Sequence, residues 1–533
     1  MSKRVIAVAI AATAVLAGCM TGPDYKRPDV KMPEKWTATL EKGESGATTV
    51  ATWWTTLNDP VLNSLVERSA QKNHDLRIAE ARVREARAAR GLVASALWPT
   101  LDVSGSYTRS QAVKQKTQSS GFPLSTGLSL SPTGITRTTT FRGQNGSITS
   151  SRTTTQSGSQ SGTNLAFTPS AKQSAPDRTT DLFQTGFDAS WELDLFGGNR
   201  RALEAADADI EAVDEFRRDV LVSLISEVAL NYIELRSAQN RLDITNKNIK
   251  AQEETLKLTR DRFTAGLSSE LDAVRAESLL STTQSQIPML ETQVDMSIHR
   301  LSVLLGAEPG ALMEELKPSA KLPTPPAEVP VGLPSDLLRR RPDIRQAERE
   351  LAAATARIGE AQADLFPKFM LTGAFGGRSD ALGSVLSGAN QIWSFGPSIR
   401  LPIFEGGRIR ANIEVQNARE EQAAIAYERS ILLALEDVEN GLVSYSKEQV
   451  RRKSLEDAVK SNETAVTLAN ERYIRGLEGF LNVLQAQQEL FQTEDQLVQS
   501  ESYVLTNLVS LYKALGGGWE LNAPEAQSPS TSK

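Results

Sequence analysis

Cysteine and histidine are almost missing from this 533-residue chain, which has one Cys, Cys19, and two His, His74 and His299. That excludes disulfide frameworks, cysteine-rich zinc sites and iron–sulfur clusters. A Ser-His-Asp or His–metal enzyme would have to rest on His74 or His299, and neither has a second His or a Cys at ligand spacing. They read as solvated or packed side chains. Aromatic residues are 6% of the chain, too few for a core of stacked rings. Positive charge is not in excess either: the net charge is −6, which argues against the basic stripe of a nucleic-acid binder. Seven Met without a cluster give no support to a copper or silver duct. Adjacent acids such as Glu253-Glu254 and Glu420-Glu421 point apart on a helix and read as solvated faces. With no nucleophile–base pair and no metal constellation, the sequence does not read as an enzyme and implies no cofactor. No segment reaches 18 consecutive apolar residues, so a membrane could be crossed only by β-strands. What remains, 40% hydrophobic and 23% charged, is ordinary folded composition.

The N-terminus reads as an address. Met1-Ser2-Lys3-Arg4 is followed by an apolar run from Val5 to Ala17, the form of a secretory signal over residues 1–18. It ends Leu16-Ala17-Gly18-Cys19, small residues before a Cys, which resembles the bacterial lipobox. That resemblance implies that Cys19 is lipidated, with palmitate among its acyl groups, and becomes the mature N-terminus. Met20 follows instead of the Asp that favours inner-membrane retention, so an outer-membrane destination is expected. Residues 19–60 read as an extended, lipid-anchored segment.

The rest of the chain is a tandem duplication. Asp75-Leu76-Arg77 and Ala79-Glu80 match Asp343-Ile344-Arg345 and Ala347-Glu348, and Leu97-Trp98-Pro99 matches Leu365-Phe366-Pro367. Leu195-Phe196-Gly197-Gly198-Asn199-Arg200 matches Ile403-Phe404-Glu405-Gly406-Gly407-Arg408. Arg262-Phe263 with Gly266-Leu267 matches Arg472-Tyr473 with Gly476-Leu477, and Gly306 matches Gly516. Repeat 1 thus covers 61–306 and repeat 2 covers 336–518. The seven prolines of 307–335 predict an extended connector. Residues 519–533 read as a disordered tail. Repeat 1 carries an insertion over 108–180, rich in Ser, Thr, Gly and Gln, with eight Lys or Arg and the single acid Asp177. Such composition buries little apolar surface, so a loosely ordered surface loop is expected. A loop contacting anionic lipopolysaccharide is the functional alternative.

Within each repeat the pattern changes in the same order. Residues 61–98 and 336–366 read as helices that stop at Trp98-Pro99 and Phe366-Pro367. Strict alternation follows. Leu101, Val103 and Tyr107 alternate with Asp102, Ser104 and Ser106, and Phe183, Phe187 and Trp191 alternate with Gln184, Asp188 and Glu192. In repeat 2 the alternating apolar positions are Phe369, Leu371 and Phe375, then Trp393, Phe395, Ile399, Leu401 and Ile403. Segments of about ten residues with one apolar face are the pattern of transmembrane barrel strands. Four strands cannot close a barrel, and an open edge in lipid leaves backbone groups unsatisfied. Copies must therefore pool their strands: eight from a dimer would leave a filled interior, twelve from a trimer a pore. Long helices are expected over 199–263 and 408–473, on the order of 100 Å each, then return helices over 270–305 and 480–515. Helices of that length need a partner, and antiparallel coiled coils supply it.

These residues resemble the outer membrane factor family, the TolC/OprM-type channel-tunnels, in its lipidated NodT-like branch. The resemblance rests on Cys19 with Gly22-Pro23-Asp24-Tyr25, Trp53-Trp54 with Asp59-Pro60, the stretch from Leu338-Arg339-Arg340-Arg341-Pro342 to Glu348, Phe404-Glu405-Gly406-Gly407-Arg408, and the two Arg-x-x-x-Gly-Leu tips. It implies an α+β membrane protein: a homotrimeric channel-tunnel, four β-strands per chain forming a 12-stranded barrel, with coiled-coil helices in the periplasm. It further implies docking to a periplasmic adaptor and an inner-membrane pump of the resistance–nodulation–division (RND) type, with the chain as a passive duct. An exit for an ABC-driven secretion system on the same fold, and a pore-less coiled-coil lipoprotein scaffold, remain open alternatives.

The resemblance also nominates site residues. Acidic rings near the tips commonly line the periplasmic gate of the family. Repeat 1 has Asp272 there, but repeat 2 has Asn482 and Gln485 where aspartates are usual. Asp272 could pair with Arg275 or with a neighbouring subunit. An uncharged Gln485 ring would attract cations less than a carboxylate ring in a narrow constriction. Gly266-Leu267 and Gly476-Leu477 are the expected adaptor-docking tips, the alternative being leucines packed on their own hairpins.

Overall fold

The computed structural model describes residues 20–38, 50–111, 125–131, 134–142, 148–156, 179–326, 329 and 331–522. Cys19 and the signal segment lie outside the described residues. The chain divides into two units: Met1–Pro99, Trp191–Leu371 and Pro397–Lys533 form one, and Thr100–Ser190 with Thr372–Gly396 form the other.

The first unit is helical. Repeat 1 contributes α1 (Pro60–Lys72), α2 (His74–Ser95), α3 (Gly198–Thr264), α4 (Glu270–Gln284) and α5 (Ile287–Leu304). Repeat 2 contributes α6 (Pro342–Ala363), α7 (Arg408–Ile474) and α8 (Phe480–Ala514). α3 and α7 are 67 residues each, about 100 Å at 1.5 Å per residue. Each begins at left-handed glycine, Gly197 (φ 80°) and Gly407 (φ 87°), which turns the chain out of a strand and into the helix. Gly197 stands one residue after Phe196 and Gly407 three after Phe404, so the corner falls two residues later in repeat 2 than the motif match predicts.

Three helix boundaries differ from the expectation. Residues 61–98 are not one helix: the chain breaks at Asn73, whose Oδ1 accepts from Asp75 N at 2.8 Å and Leu76 N at 3.0 Å. Its Nδ2 donates to Leu304 O at 2.9 Å, so the break is tied to the end of the return helix. Residues 336–366 break likewise at extended Arg341, ahead of Pro342. The return helix of repeat 1 is split into α4 and α5 around Ser285-Gln286, where Pro288 removes a backbone donor. Its counterpart α8, with Val498 at the matching position, runs on unbroken.

The repeat is also visible in packing. Gly306 (φ 68°) ends the return helix of repeat 1 against Lys72, where an added Cβ would stand 2.5 Å from Lys72 O. Gly516 (φ 73°) does the same in repeat 2 against Arg341, 3.0 Å from its Cα. Around these junctions lies the main core, aliphatic with a few rings: Trp53 stacks on Tyr512 at 5.3 Å, and Trp54 stands edge-on to Trp53. Met20–Ala38 contains neither helix nor strand, and Val50–Leu57 coils into 3₁₀ turns that bury both tryptophans. The connector has short helical turns at Met313–Leu316 and Pro334–Asp336 and is otherwise irregular among its described residues.

The tail expectation is corrected for residues 519–522, which form a 3₁₀ turn. Trp519 donates to Arg340 O at 3.0 Å and lies between the Arg218 and Arg345 guanidinium groups, at 5.0 and 5.5 Å. Stacking on two cations holds it.

The second unit holds a four-stranded sheet and a three-stranded one. β1 (Thr100–Gln111) pairs antiparallel with β5 (Thr179–Leu193), with Val103 opposite Phe187 and Tyr107 opposite Phe183. β6 (Lys368–Ser379) and β7 (Gln391–Arg400) complete the order β1-β5-β6-β7. β7 ends at Arg400, short of the expected Ile403, because Pro402 cannot donate to a ladder. One sheet face carries Leu101, Val103, Tyr107, Phe183 and Phe187; the other carries Asp102, Ser104 and Asp188. β1 and β7 are edges without a partner in the sheet.

The insertion is not simply a loose loop. β2 (Ser125–Ser131), β3 (Gly134–Arg142) and β4 (Ile148–Gln156) form an antiparallel sheet in the order β2-β3-β4. Reasoning from hydrophobic burial passed over the threonines of 138–140 and 153–155, whose β-branched side chains favour extended backbone.

Candidate functional site

Two hairpins carry the nominated residues. In each, the long helix closes with the same hydrogen bonds. Gly266 N donates to Phe263 O and Leu267 N to Arg262 O, both at 2.8 Å. Gly476 N donates to Tyr473 O at 3.0 Å and Leu477 N to Arg472 O at 2.9 Å. Both glycines are left-handed, at φ 72° and 71°, the geometry that ends a helix in a Schellman turn. Leu267 and Leu477 are 67% and 65% exposed, so neither packs on its own hairpin. Phe263, Leu271, Val274, Ile474 and Leu481 are exposed beside them.

The hairpin ends are joined. The Arg262 guanidinium lies 4.7 Å over the Tyr473 ring, and Tyr473 packs with Phe480 at 5.4 Å. Leu256, Ala276 and Val483 complete a small core under this contact. Further along, Gln487 Nε2 donates to Thr255 Oγ1 at 2.8 Å.

The candidate gate residues have separate local tasks. Asp272 sits at the third position of α4, where Oδ2 accepts from Ser269 N at 3.4 Å as half of a capping box with the Ser269 hydroxyl. Among the described residues it makes no ion pair with Arg275. Asn482 Nδ2 donates to Glu478 Oε2 at 3.0 Å, and Gln485 is exposed one turn on. Sequence reasoning overlooked Glu478. It supplies the carboxylate at the repeat 2 tip and is bound by Arg472 Nε at 2.8 Å, so its charge is compensated locally. Arg262 and Tyr473 were also missed as a pair. Their signal was the matched Arg-aromatic dipeptide of the two tips, read only as a repeat.

The segment after Cys19 is built into the helical unit. Thr21 N donates to Phe196 O at 3.1 Å and Thr21 Oγ1 to Gly359 O at 3.2 Å. Arg201, 2% exposed, pairs with Asp24 at 2.6 Å and donates through Nε to Thr21 O at 3.0 Å. Gly359 is required here, since a Cβ would stand 2.7 Å from Thr21 O. The Tyr25 hydroxyl donates to Glu348 at 3.3 Å. Burial, then the Glu348 carboxylate, pushes it up to about 12, so it stays a donor.

The longest family-like stretch is structural in effect. Arg341 binds Asp343 at 2.7 Å, Asp437 at 3.0 Å and Ala514 O at 3.1 Å. Arg345 binds buried Glu215 at 2.5 Å, and Glu348 receives Arg27, Arg349 and Tyr25. It ties the N-terminal segment and both repeats into one core. His74 caps nothing and starts α2, and among the described residues no cluster of His, Cys, Asp or Glu suits a metal ion.

An edge-open sheet with one apolar face, long paired hairpins with apolar tips and a strapped N-terminal segment define a channel subunit. Residues 145–307 and 333–517 match the family described as outer membrane efflux protein. The chain is 31% identical to nodulation protein T of Rhizobium leguminosarum bv. trifolii, over 95% of this chain and 96% of that one. It is also 31% identical to the toluene efflux pump outer membrane protein TtgI of Pseudomonas putida, over 95% and 97%. Among solved structures it resembles the outer-membrane channel OprN, with TM-score 0.78 and 35% identity over 94% of this chain and all of that one. The open state of the MtrE outer membrane channel of Neisseria gonorrhoeae gives TM-score 0.74 and 26% identity, over 94% and 99%. The chain belongs to the outer membrane efflux protein family, and it is an outer-membrane exit duct of Gram-negative efflux.

Proposed function

We propose that three copies of this chain form the passive outer-membrane channel of a tripartite RND-type efflux system, carrying drugs or other small toxic compounds to the exterior. The observation that carries this is the four-stranded sheet with two open edges and one apolar face. In lipid such edges must be paired, and copies of the same chain provide the partners. Three copies give twelve strands and room for a pore, whereas eight strands would be filled by side chains.

Lipidated Cys19 anchors the chain, and the Thr21–Tyr25 strap fixes where the anchor emerges from the helical unit. Leu267 and Leu477 with their glycine turns engage the periplasmic adaptor, which couples the channel to the inner-membrane pump. Apolar side chains exposed at two joined turns are a surface that gains by being covered. Asp272, Asn482 and Gln485 line the periplasmic gate. Asp272 is partly used in capping and Glu478 is neutralised by Arg472, so this gate carries less free negative charge than an aspartate ring.

Relatives named for toluene, solvent and antibiotic efflux support a small-molecule cargo. Deleting the gene and restoring it in the native host tests the function. Deletion is expected to lower tolerance to such compounds, and the complete chain to restore it. Undiminished tolerance, together with no conductance from the purified protein in planar bilayers, would overturn the reading.

A further inference from the structure

The β6–β7 loop, residues 380–390, bonds several of its polar groups internally and exposes two leucines. Asp380 at its start is exposed, and several other polar groups bond to one another: Ser379 Oγ, at the end of β6, lies 2.7 Å from Ser384 Oγ and accepts from Ala381 N at 3.2 Å. Asn390 Nδ2 donates to Ser384 O at 2.8 Å and to Ser387 Oγ at 3.2 Å. Backbone turns satisfy further groups, with Ser387 N bonded to Ser384 O and Asn390 N to Ser387 O, both at 3.0 Å. Its leucines point outward, Leu382 69% and Leu386 79% exposed. The exposed Asp380 carboxylate sets the start of the loop at the polar surface, and the part from Leu382 to Leu386 presents an apolar exterior.

The loop also leaves a groove on the sheet. Val385 is buried against Gly377, where a side chain of any size would collide with the Val385 carbonyl. Gly186 and Gly376 also approach each other closely, and a Cβ on Gly186 would stand 2.8 Å from Phe375 O. Three glycines thus hollow the sheet. The resulting cavity, about 160 Å³, is walled by Val103, Phe187, Phe375, Val385 and Leu386, with no charged group in its lining. Val103 and Phe187 belong to the apolar sheet face, so the groove continues the surface that meets lipid in an outer-membrane barrel. The loop joins the ends of β6 and β7 that are not connected to α6 and α7, the outer-leaflet end of the hairpin.

We infer that the groove beneath the β6–β7 loop seats an acyl chain of an outer-leaflet lipid. This rests on the barrel reading above, and the test separates the two. Leu386→Cys and Ile399→Cys, the latter on the apolar run of β7, would each carry a nitroxide in protein reconstituted into liposomes. Both labels are expected to collide more with oxygen than with a water-soluble nickel chelate. A phospholipid with a diazirine in mid-chain is expected to label Val385 and Leu386 several-fold more than Trp393, exposed on β7. Nickel-accessible Leu386 with lipid-facing Ile399 would overturn the seat and leave the barrel intact. Nickel access at both would overturn the barrel itself. Even labelling along the sheet, or a crosslink from Leu386→Cys to a second copy in place of lipid, would also overturn the seat.

Discussion

Arg262 of the repeat 1 hairpin lies over the Tyr473 ring of the repeat 2 hairpin, 4.7 Å from its centroid, and its Nη1 donates to Ile474 O at 3.2 Å. Two turns far apart in sequence are thereby held as one end. The matching residues, Phe263 and Arg472, do not repeat the contact within the chain: Phe263 is exposed, and Arg472 turns to Glu478.

If this contact holds the hairpin ends together, Arg262→Ala loosens them. A cation–π contact of about 1 kcal/mol corresponds to local opening several-fold more frequent. Hydrogen exchange of amides in 256–266 and 471–480 should quicken by that factor, with the main core around Trp53 unchanged. Equal exchange at the tips would contradict the role.

Leu477→Asp places a charge in the exposed apolar turn and should abolish efflux without reducing trimer yield. Leu267→Asp should act in the same direction. Drug tolerance of the complemented strain, beside the amount of trimer in its membranes, checks both. Unchanged tolerance would count against docking through these turns.

Gln485→Asp adds carboxylates on an exposed face of α8, one turn before the exposed Glu489. In a constriction these raise cation selectivity. The reversal potential across bilayers with a salt gradient should move toward that of the cation. An unmoved potential would remove Gln485 from the pore lining.

Gly359→Val pushes against Thr21 O and the Arg201 side chain, which stand 2.7 and 2.9 Å from the position of an added Cβ. Overpacking of this kind costs about 1–3 kcal/mol. The strap should lift, so trypsin should cut at Lys26, Lys31 or Lys35 in folded protein. Resistance equal to the parent would show the strap is held elsewhere.

Asp219 is half-buried, and its desolvation pushes its carboxyl up; the nearby Asp343 adds to this against Lys513 and Arg341. The native state then holds the proton more tightly than the unfolded chain. Its contribution to stability is present at acid pH and falls as pH rises above the usual carboxylate range through the raised value. Asp219→Asn should remove that decline, leaving the thermal midpoint unchanged at acid pH and higher at neutral pH. The parent's pH slope persisting in the variant would contradict this.

The sequence announced the repeats, the four strands, the two long helices and both tips, because each rests on a local pattern: alternation, proline stops, a glycine after a helix. It was silent where one residue acts on a distant partner. Asn73 breaks a helix because its side chain caps the next one and reaches Leu304; periodicity carries no trace of that. Trp519 is ordered by two arginines more than 170 residues earlier in the chain. At the tips, the acids expected at 482 and 485 are absent while Glu478 stands nearby, and only geometry shows it spent on Arg472. Composition misjudged the insertion because hydrophobicity alone says nothing of strand pairing among threonines.

The account turns on what the hairpin ends touch in the cell. Leu477→Cys places a thiol at the repeat 2 turn, with Cys19, the proposed lipidation site, the only other cysteine of the chain. Crosslinking in intact cells, with the partner identified by mass spectrometry, should recover the periplasmic adaptor of a proton-driven pump. Recovery of crosslinks to copies of this chain alone, at normal expression, would contradict the efflux-channel account.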